Sequence, residues 1–93
     1  MEFEWDARKA AENLSKHGVD FVRAVRIFSD PHRLERESDP ETYGEVRRKV
    51  IGLIDDDVYA IVYTPRSDAY RIISARKASK REREQYRTSQ SAS

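Results

Sequence analysis

Arginine is concentrated in this sequence around a predicted junction between a strand and a helix. Residues 71–86 read RIISARKASKREREQY, with Arg71 and Arg76 in the strand-like part and further cations in the helix-like part. Arg66 precedes this segment, in the turn that follows an apolar stretch. A guanidinium group is planar and always charged, so it can bind a phosphate through two parallel hydrogen bonds. Arg66 and Arg76 are therefore candidate phosphate ligands, and the start of the following helix adds a partial positive charge.

The two halves of the chain carry opposite net charges. Residues 1–46 contain 7 Lys or Arg and 11 Asp or Glu, a net charge of −4, and residues 47–93 contain 11 and 6, a net charge of +5. A basic half favours a polyanionic partner such as nucleic acid. Ordinary solvated surfaces also show an imbalance of this size, so the charge supports that interpretation only together with the arginines.

Composition excludes several other kinds of site. The 93 residues include no cysteine, so the chain forms neither a disulfide nor a thiolate metal site. His17 and His32 are far apart, and the carboxylates of Asp55–Asp57 lack the spacing of a calcium loop, so no metal or cofactor is predicted. No apolar run approaches the ~18 residues of a membrane span, and the N-terminus does not resemble a signal peptide. We therefore expect a single cytoplasmic domain without membrane association.

The N-terminal part predicts a strand followed by a helix. Residues 1–5 alternate between apolar and acidic side chains, as in a strand with one buried face. Asp6 stands at the N-cap position of a helix over 7–17, and Gly18 supplies the left-handed residue that ends it. The apolar positions that predict the buried side of this helix are Ala7, Ala10, Ala11 and Leu14.

A second helix and a less regular segment follow. Asp20 can cap this helix, its apolar residues recur at helical spacing, and Pro31 ends it, so the two helices form a predicted hairpin. From Pro31 to Gly44 the sequence is rich in charged and turn-forming residues. We predict a short edge strand near 32–36 and then a mobile loop.

The remaining sequence predicts three strands and a final helix. The connections between the strands are short, which permits antiparallel hairpins but not parallel crossovers. Ser79 and Glu82 have the spacing of a capping box, which predicts a helix from there to about Arg87. The small polar residues 88–93 predict a disordered tail. The strands are predicted at 46–54, 58–64 and 69–75, with turns at 55–57 and 65–68.

These elements predict one α+β domain over residues 1–87, in the order β-α-α-β-β-β-β-α. A single antiparallel sheet has the N-terminal helical hairpin packed on one face, and the other face is left free. The sheet and the C-terminal helix can line a groove that holds the candidate arginines.

Several candidate residues also have ordinary structural interpretations. Arg83 alternates with glutamates on the final helix, as on a plain solvated helix. Tyr86 can pack its ring on the sheet, and His17 near a helix C-terminus is explained by the helix dipole. The residues alone do not decide between a functional and a structural role for Arg66 and Arg76.

Three blocks of the sequence resemble the BrnT family of bacterial toxins, the toxin halves of type II BrnT–BrnA toxin–antitoxin pairs. The first block follows F-x-W-D, K-x-x-x-N-x-x-K-H-G-V-x-F and A-x-x-x-F-x-D over residues 3–30. The second is RRKVIG, and the third matches R-I-I-S-A-R-x-A-[ST]-x-x-E-x-x-x-Y over 71–86. The blocks occur in order over nearly the whole chain. Pro65 departs from the pattern, because we expect a less rigid residue directly before Arg66.

The resemblance implies a RelE-like fold and a metal-independent endoribonuclease that arrests growth by cleaving RNA. In the implied reaction the RNA 2′-OH attacks the adjacent phosphate, which needs a proton acceptor, cations for the phosphorane and a proton donor. The resemblance also implies neutralisation by a cognate BrnA-type antitoxin in a 2:2 heterotetramer, with promoter DNA bound only through the antitoxin.

The family resemblance also implies roles for individual side chains. Arg66 and Arg76 would hold the scissile phosphate, with Arg71 assisting them. His17 or Tyr86 would act as the acid or base. The residues expected to guide the RNA backbone electrostatically are Lys9, Lys16 and Arg81.

Two other functions fit the same sequence. A toxin-like module without catalysis would hold an antitoxin and modulate its binding to promoter DNA. A simple RNA-binding protein would show steeply salt-dependent binding without product formation.

Overall fold

A computed structural model describes the chain over residues 1–38 and 45–91. The fold is α+β with a single sheet, as predicted, and the predicted loop up to Gly44 lies largely outside the described residues. No helix within the described ranges is long and apolar enough to cross a membrane. The elements are β1 (Glu2–Glu4), α1 (Ala7–His17), α2 (Phe21–Ala24), a 3₁₀ helix (Val25–Ser29), β2 (Leu34–Ser38), β3 (Arg47–Ile54), β4 (Asp57–Arg66), β5 (Ala69–Lys77) and α3 (Lys80–Ser91).

The sheet is mixed, with the strand order β1-β5-β4-β3-β2. Strands β2 to β5 pair antiparallel along the chain, as predicted. β1 instead joins β5 in parallel, with Glu2 opposite Ala69 and Glu4 opposite Arg71. The prediction of a purely antiparallel sheet is therefore wrong. A parallel pair requires a long connection, and the helices and three strands between β1 and β5 supply one.

The caps of the first two helices are as predicted, but the second helix is shorter. The Asp6 carboxylate accepts hydrogen bonds from two backbone N–H groups of α1, at 2.9 and 3.1 Å. Gly18 adopts a left-handed conformation (φ = 70°) and ends α1. Asp20 caps α2, which is α-helical for one turn and continues as the 3₁₀ helix until shortly before Pro31.

The buried side of α1 differs from the predicted apolar stripe. Ala10 of that stripe packs against the core, but Leu14 is 50% exposed, and the buried residue of α1 is Asn13. The Asn13 amide donates to the carbonyls of Val19 (3.0 Å) and Ala75 (2.8 Å) and accepts from the Ala75 N–H (3.0 Å). Since β1 pairs only with residues 69–71 of β5, Asn13 satisfies backbone groups of β5 that would otherwise lie unpaired at the edge of the sheet.

The helices α1 and α2 and the 3₁₀ helix pack on one face of the sheet, which we call the core face. Four aromatic rings from β1, the 3₁₀ helix, β4 and β5 extend this core, with centroids 4.4 to 6.1 Å apart. Burial of these apolar side chains is the main stabilising contribution to a domain of this size. The fully buried contacts at the centre come from Phe21, Ala24 and Ile27 of the helical segments and from Val50, Ile61 and Ala75 of the sheet.

Several strand ends differ from their predicted positions, and β5 continues to Lys77. The edge strand β2 occupies Leu34–Ser38 rather than 32–36. β4 continues through Pro65 to Arg66, so Arg66 is a strand residue and the turn is confined to 67–68. Proline is tolerated at this point because the pairing of β4 with β3 has already ended at Tyr63.

The last helix is longer than predicted. α3 extends to Ser91, so the predicted disordered tail is wrong for residues 88–91, while 92–93 lie outside the described residues. Side-chain hydrogen bonds hold this end of the helix: Ser89 Oγ donates to the Tyr86 carbonyl (2.7 Å), and Gln90 Nε2 donates to the His32 carbonyl (3.5 Å). The first of these bonds lies within the helix, and the second joins this end of α3 to the segment before β2.

Replacing Gly52 with alanine is expected to destabilise the fold. A Cβ atom at this position on β3 would lie 3.0 Å from Ile27 Cγ1 and 3.1 Å from both Arg33 Cβ and Asp30 Oδ2. Overpacking of this kind costs about 1–3 kcal/mol. For a domain of this size, each kcal/mol lowers the melting temperature by roughly 4–8 °C.

Gly18→Ala is the matched control for this substitution. A Cβ atom at Gly18 meets nothing within 4 Å, so only the left-handed backbone (φ = 70°) opposes the change, by about 1 kcal/mol. Thermal unfolding followed by circular dichroism compares the two variants. Gly52→Ala melting as high as the wild type would contradict the close crossing of β3 and the 3₁₀ helix.

Candidate active site

Alternation along the strands gives the sheet a second face, opposite the helices α1 and α2, which we call the open face. Lys49 on β3 pairs with Val62 on β4, and Val62 pairs with Ser74 on β5. These side chains lie on the open face together with Arg76, and all four are partly exposed. α3 contacts β3 and β4, and it covers one end of this face. The open face is therefore a basic sheet surface bordered by a helix.

Two open-face cations converge on a buried carboxylate near the start of α3. Arg76 donates from Nη1 to Glu82 Oε1 (2.7 Å) and from Nη2 to Glu82 Oε2 (3.0 Å). Lys49 donates from Nζ to the same Oε2 (2.9 Å). The Glu82 side chain is 8% exposed, whereas those of Arg76 and Lys49 are 40% and 32% exposed. We call Lys49, Arg76 and Glu82 the open-face cluster.

The predicted capping box holds Glu82 in this cluster. The Ser79 N–H donates to Glu82 Oε1 (2.8 Å), and the Glu82 N–H donates to Ser79 Oγ (3.2 Å). The Arg76 guanidinium holds the pKa of Glu82 well below its ordinary value of 4.5, and Lys49 and the Ser79 N–H act in the same direction against the effect of burial. Glu82 in turn raises the pKa of Arg76. Glu82 is therefore ionised at neutral pH, and the two cations of the cluster exceed its single carboxylate.

Acid is expected to weaken the fold through Glu82. The pKa of Glu82 is lower in the folded chain than its ordinary value of 4.5, so its stabilising contribution is present above that pH and is lost as the pH falls below it. Urea unfolding at neutral and acid pH measures this loss. Glu82→Gln should reduce the difference between the two conditions, whereas Glu84→Gln, at an exposed position of the same helix, should not. Equal acid sensitivity of both variants and the wild type would contradict this role of Glu82.

The structure does not bring Arg66 and Arg76 together. Arg66 ends β4 and pairs with Ala69, whereas Arg76 lies near the other end of the same hairpin, opposite Ala60. Arg66 lies six positions along β4 from Ala60, a backbone separation of roughly 20 Å at ~3.3 Å per residue. Both arginines lie on the open face, and because Glu82 holds the Arg76 guanidinium at its end of the hairpin, Arg66 is not placed to share a phosphate with it.

Arg71 occupies the part of the open face between these two arginines, opposite Thr64. Its Nε lies 3.8 Å from Glu4 Oε1, and this buried nitrogen has no hydrogen-bond partner within residues 1–38 and 45–91. The Arg71 side chain is 38% exposed, so part of the guanidinium is accessible to a ligand.

The candidate residues of α1 border a groove at the edge of β5. Lys9, Lys16 and His17 line this groove together with Ile73 and Ser74, and its volume is about 260 Å³. Positions three, four, seven and eight residues apart share one side of a helix, which explains why these side chains meet. Ser74 also belongs to the open face, so the groove is continuous with the surface that carries the cluster. The structure thus brings three predicted site residues to the border of the open face.

Tyr86 lies on the buried side of α3 and is already engaged. Its hydroxyl donates to Asp30 Oδ2 (2.6 Å), and the residue is 5% exposed. Asp30 also accepts the backbone N–H groups of Leu53 (2.8 Å) and His32 (2.9 Å). Burial and the Asp30 carboxylate raise the pKa of Tyr86 well above its ordinary value. This hydroxyl attaches α3 to the end of β3 and is not presented to a ligand on the open face.

Tyr86→Phe is expected to lower stability and to preserve the RNA cleavage that the family resemblance implies. The variant keeps the buried ring but leaves the Asp30 carboxylate without one of its donors, which costs about 1–3 kcal/mol. Cleavage of a defined RNA and urea unfolding, measured on the same preparation, separate the two effects. A loss of cleavage in a stably folded Tyr86→Phe variant would restore Tyr86 as the acid or base.

Arg81 lies apart from the open-face cluster. It is exposed and borders a second groove of about 450 Å³ together with Leu34 and Arg36 of β2. Arg81 therefore adds positive charge beside α3 without joining the cluster. Among the described residues, no group of three or more His, Cys, Asp or Glu side chains is arranged to hold a metal ion.

The sequence patterns did not indicate Lys49 and Glu82 as members of the open-face cluster. Lys49 belongs to the RRKVIG block, and alternation along that strand puts it on the side opposite Val50. The register that aligns Lys49 with Ser74 could not be read from the sequence. The capping box alone accounts for a glutamate at position 82, so nothing in the sequence indicated that Glu82 also contacts the two cations.

A comparison with protein families covers most of the chain. The family model described as "Ribonuclease toxin, BrnT, of type II toxin-antitoxin system" matches residues 5–82. The matched stretch includes His17, Arg66 and the whole open-face cluster, and it ends before Tyr86. No curated protein sequence matches the chain significantly. Because the family match spans far more than half of the sequence, the chain belongs to the BrnT family of ribonuclease toxins of type II toxin–antitoxin systems.

Proposed function

We propose that the chain cleaves RNA by attack of a 2′-OH on the adjacent phosphate, without a metal ion. The observation that carries this proposal is the convergence of Lys49 and Arg76 beside the N-terminus of α3 on the open face. Two cations and a helix N-terminus supply the positive potential that stabilises a pentacoordinate phosphorane. Membership of a family of ribonuclease toxins supports the same class of reaction.

Both cations retain donors for a phosphate while they hold Glu82. A guanidinium carries five N–H donors and an ammonium carries three. Within the described residues, Arg76 forms two hydrogen bonds to Glu82 and one to the Lys77 carbonyl (3.3 Å), and Lys49 forms one to Glu82. Two donors on each side chain therefore remain for the oxygens of the scissile phosphate.

His17 is the proton-transfer residue in this proposal. It borders the groove that continues from the open face, and histidine is the side chain that most often serves as a general acid or base. The Tyr86 hydroxyl is directed to Asp30 instead. His17→Ala should therefore lower the turnover number without changing the fold, because His17 is exposed.

The RNA strand crosses the open face in this proposal. Arg71 and Arg66 contact phosphates toward the 67–68 turn, and Lys9 and Lys16 contact phosphates at the edge of β5 beside Ser74. Arg66 therefore binds a more distant phosphate than the scissile one. The chemistry selects RNA because DNA lacks the attacking 2′-OH.

The fold and the partners belong to the same proposal. We assign the chain to the RelE-like folds, on the basis of its helix pair, its antiparallel strands β2–β5 and its C-terminal helix. A cognate BrnA-type antitoxin neutralises it in a 2:2 heterotetramer and alone contacts promoter DNA. The need for an antitoxin partner follows from membership of a type II family.

The test uses purified chain, a defined RNA and a chelator. We expect cleavage that persists in EDTA, leaves a 2′,3′-cyclic phosphate, and stops when the nucleotide before the scissile phosphate is 2′-deoxy. Folding of the protein is checked by circular dichroism. Cleavage that requires a divalent cation, or that continues on the 2′-deoxy substrate, would overturn the proposed mechanism. Intact RNA, in vitro and after induction in a bacterial host, would overturn the activity.

A non-catalytic module that holds an antitoxin is the second candidate. The observation that favours it is that Glu82 already pairs with both cations of the cluster, as in a purely structural ion network. This function predicts normal growth and intact RNA with abundant folded protein, together with antitoxin binding that survives Arg76→Ala.

A further inference from the structure

Glu82 makes more contacts than a helix cap requires. Its Oε1 accepts from the Ser79 N–H (2.8 Å) and from Arg76 Nη1 (2.7 Å). Its Oε2 accepts from Arg76 Nη2 (3.0 Å) and from Lys49 Nζ (2.9 Å). Only the first of these four bonds belongs to the capping box. The other three fix the end groups of the two cations that the proposed reaction uses.

We propose that Glu82 is a positioning residue, which orients Arg76 and Lys49 toward the scissile phosphate. This inference rests on the proposed ribonuclease function and deepens it. Arg76 and Lys49 rise from β5 and β3, on either side of β4, and the Glu82 carboxylate reaches both from above β4. Without that bridge, two like charges would repel each other and would move separately among their rotamers.

A carboxylate at this position is expected to weaken RNA binding. This cost supports a role for Glu82 in the transition state. Glu82 places a negative charge, 8% exposed, on the surface that is proposed to bind a polyanion. A residue selected for ground-state affinity would not be anionic at this position. A carboxylate that weakens binding but orients donors toward developing charge raises the turnover number, because only interactions stronger in the transition state accelerate the reaction.

Glu82→Gln separates this role from helix capping. Glutamine can keep the bond from the Ser79 N–H, since both Glu and Gln serve in capping boxes, but it removes the charge that holds Arg76 and Lys49. We expect the turnover number to fall by roughly 10- to 100-fold, while KM stays equal or decreases. The matched control is Glu84→Gln, an exposed change of the same type two residues away, which should leave the turnover number unchanged.

A second variant keeps the test informative if glutamine disturbs folding. Glu82→Asp retains the charge but is one methylene shorter, so it cannot hold both cations in the same geometry. We expect its turnover number to fall with KM within about twofold of the wild type. Rates are expressed per folded molecule, with the folded fraction measured by circular dichroism.

The outcomes distinguish this inference from the proposed function. A wild-type chain that does not cleave RNA would overturn the function and the inference together. Wild-type cleavage that Glu82→Gln and Glu82→Asp retain in full would overturn only the positioning role. A raised KM with an unchanged turnover number would also overturn it, because Glu82 would then act on binding alone.

Discussion

Arg76→Ala is expected to lower the rate of RNA cleavage by roughly 10²–10³-fold, the usual effect of removing one donor that stabilises transition-state charge. The same change should abolish growth arrest when the chain is induced alone in a bacterial host. Arg76 presents a guanidinium, 40% exposed, at the N-terminus of α3, and alanine removes every donor of that group. Lys49 would then remain as the only cation of the open-face cluster.

A loss of stability must be separated from this loss of chemistry. Arg76→Ala leaves the buried Glu82 carboxylate with only Lys49 and the Ser79 N–H as partners. Removing the paired hydrogen bonds costs about 1–3 kcal/mol. The double variant Arg76→Ala/Glu82→Gln neutralises the carboxylate and should recover part of that stability. It should nevertheless remain inactive, because the phosphate ligand is still missing.

Arg26→Ala is the control for the loss of a positive charge. Arg26 donates to Asp55 Oδ1 (2.7 Å) from the 3₁₀ helix, away from the open face, and its side chain is 54% exposed. An exposed pair of this kind contributes at most about 1 kcal/mol. Growth, total RNA integrity and cleavage in vitro are followed for all variants. Full activity of a folded Arg76→Ala chain would remove Arg76 from the site.

Local patterns in the sequence predicted the helix ends because each depends on neighbouring residues. The Asp6, Asp20 and Ser79 caps and the Gly18 terminus were all correct, since a cap is decided within four positions along the chain. Hairpins with short connections were predicted for the same reason. The parallel pairing of β1 was missed because it joins residues almost 70 positions apart, where no local pattern applies.

The site shows the same division between local and long-range information. Simple alternation along β5 puts Arg76 and Ala75 on opposite faces, as observed, but it also predicts Arg71 on the face of Ala75, which is wrong because the register shifts between Val62 and Tyr63. Alternation also could not show which residues of β3 and α3 stand beside Arg76. The sequence therefore suggested pairing Arg66 with Arg76, although the hairpin holds them at opposite ends. The partner that the structure identifies instead is Lys49, and the two meet through Glu82.

Asn13→Asp is expected to destabilise the fold more than any other single change considered. The Asn13 amide donates to two buried carbonyls, those of Val19 and Ala75, and it also accepts from the Ala75 N–H. An aspartate has nearly the same shape and can still accept the Ala75 N–H. The oxygen that replaces Nδ2, however, would face the Val19 and Ala75 carbonyl oxygens with no hydrogen to donate. A buried charge without compensation costs about 3–5 kcal/mol, which is a large part of the total stability of a small domain.

The dependence on pH identifies the cause of that loss. Burial favours the neutral form of the new carboxyl group, so its pKa in the folded chain should exceed its value in the unfolded chain. An acidic group whose pKa is raised by folding lowers the free energy of unfolding at high pH, and this loss of stability becomes smaller as the pH falls. We therefore expect the difference in unfolding free energy between Asn13→Asp and the wild type to shrink on acidification.

Two further variants complete this test. Asn13→Ala removes the three hydrogen bonds without adding a charge, so it should destabilise by about 2–4 kcal/mol with no such pH dependence. Leu14→Ala changes the neighbouring residue, which is 50% exposed, and should cost no more than about 0.5 kcal/mol. If Leu14→Ala proved more damaging than Asn13→Ala, the apolar stripe expected from the sequence would be the true buried side of α1. The opposite result would show that the Asn13 amide, rather than the Leu14 side chain, holds α1 to the edge of β5 beside the groove that His17 borders.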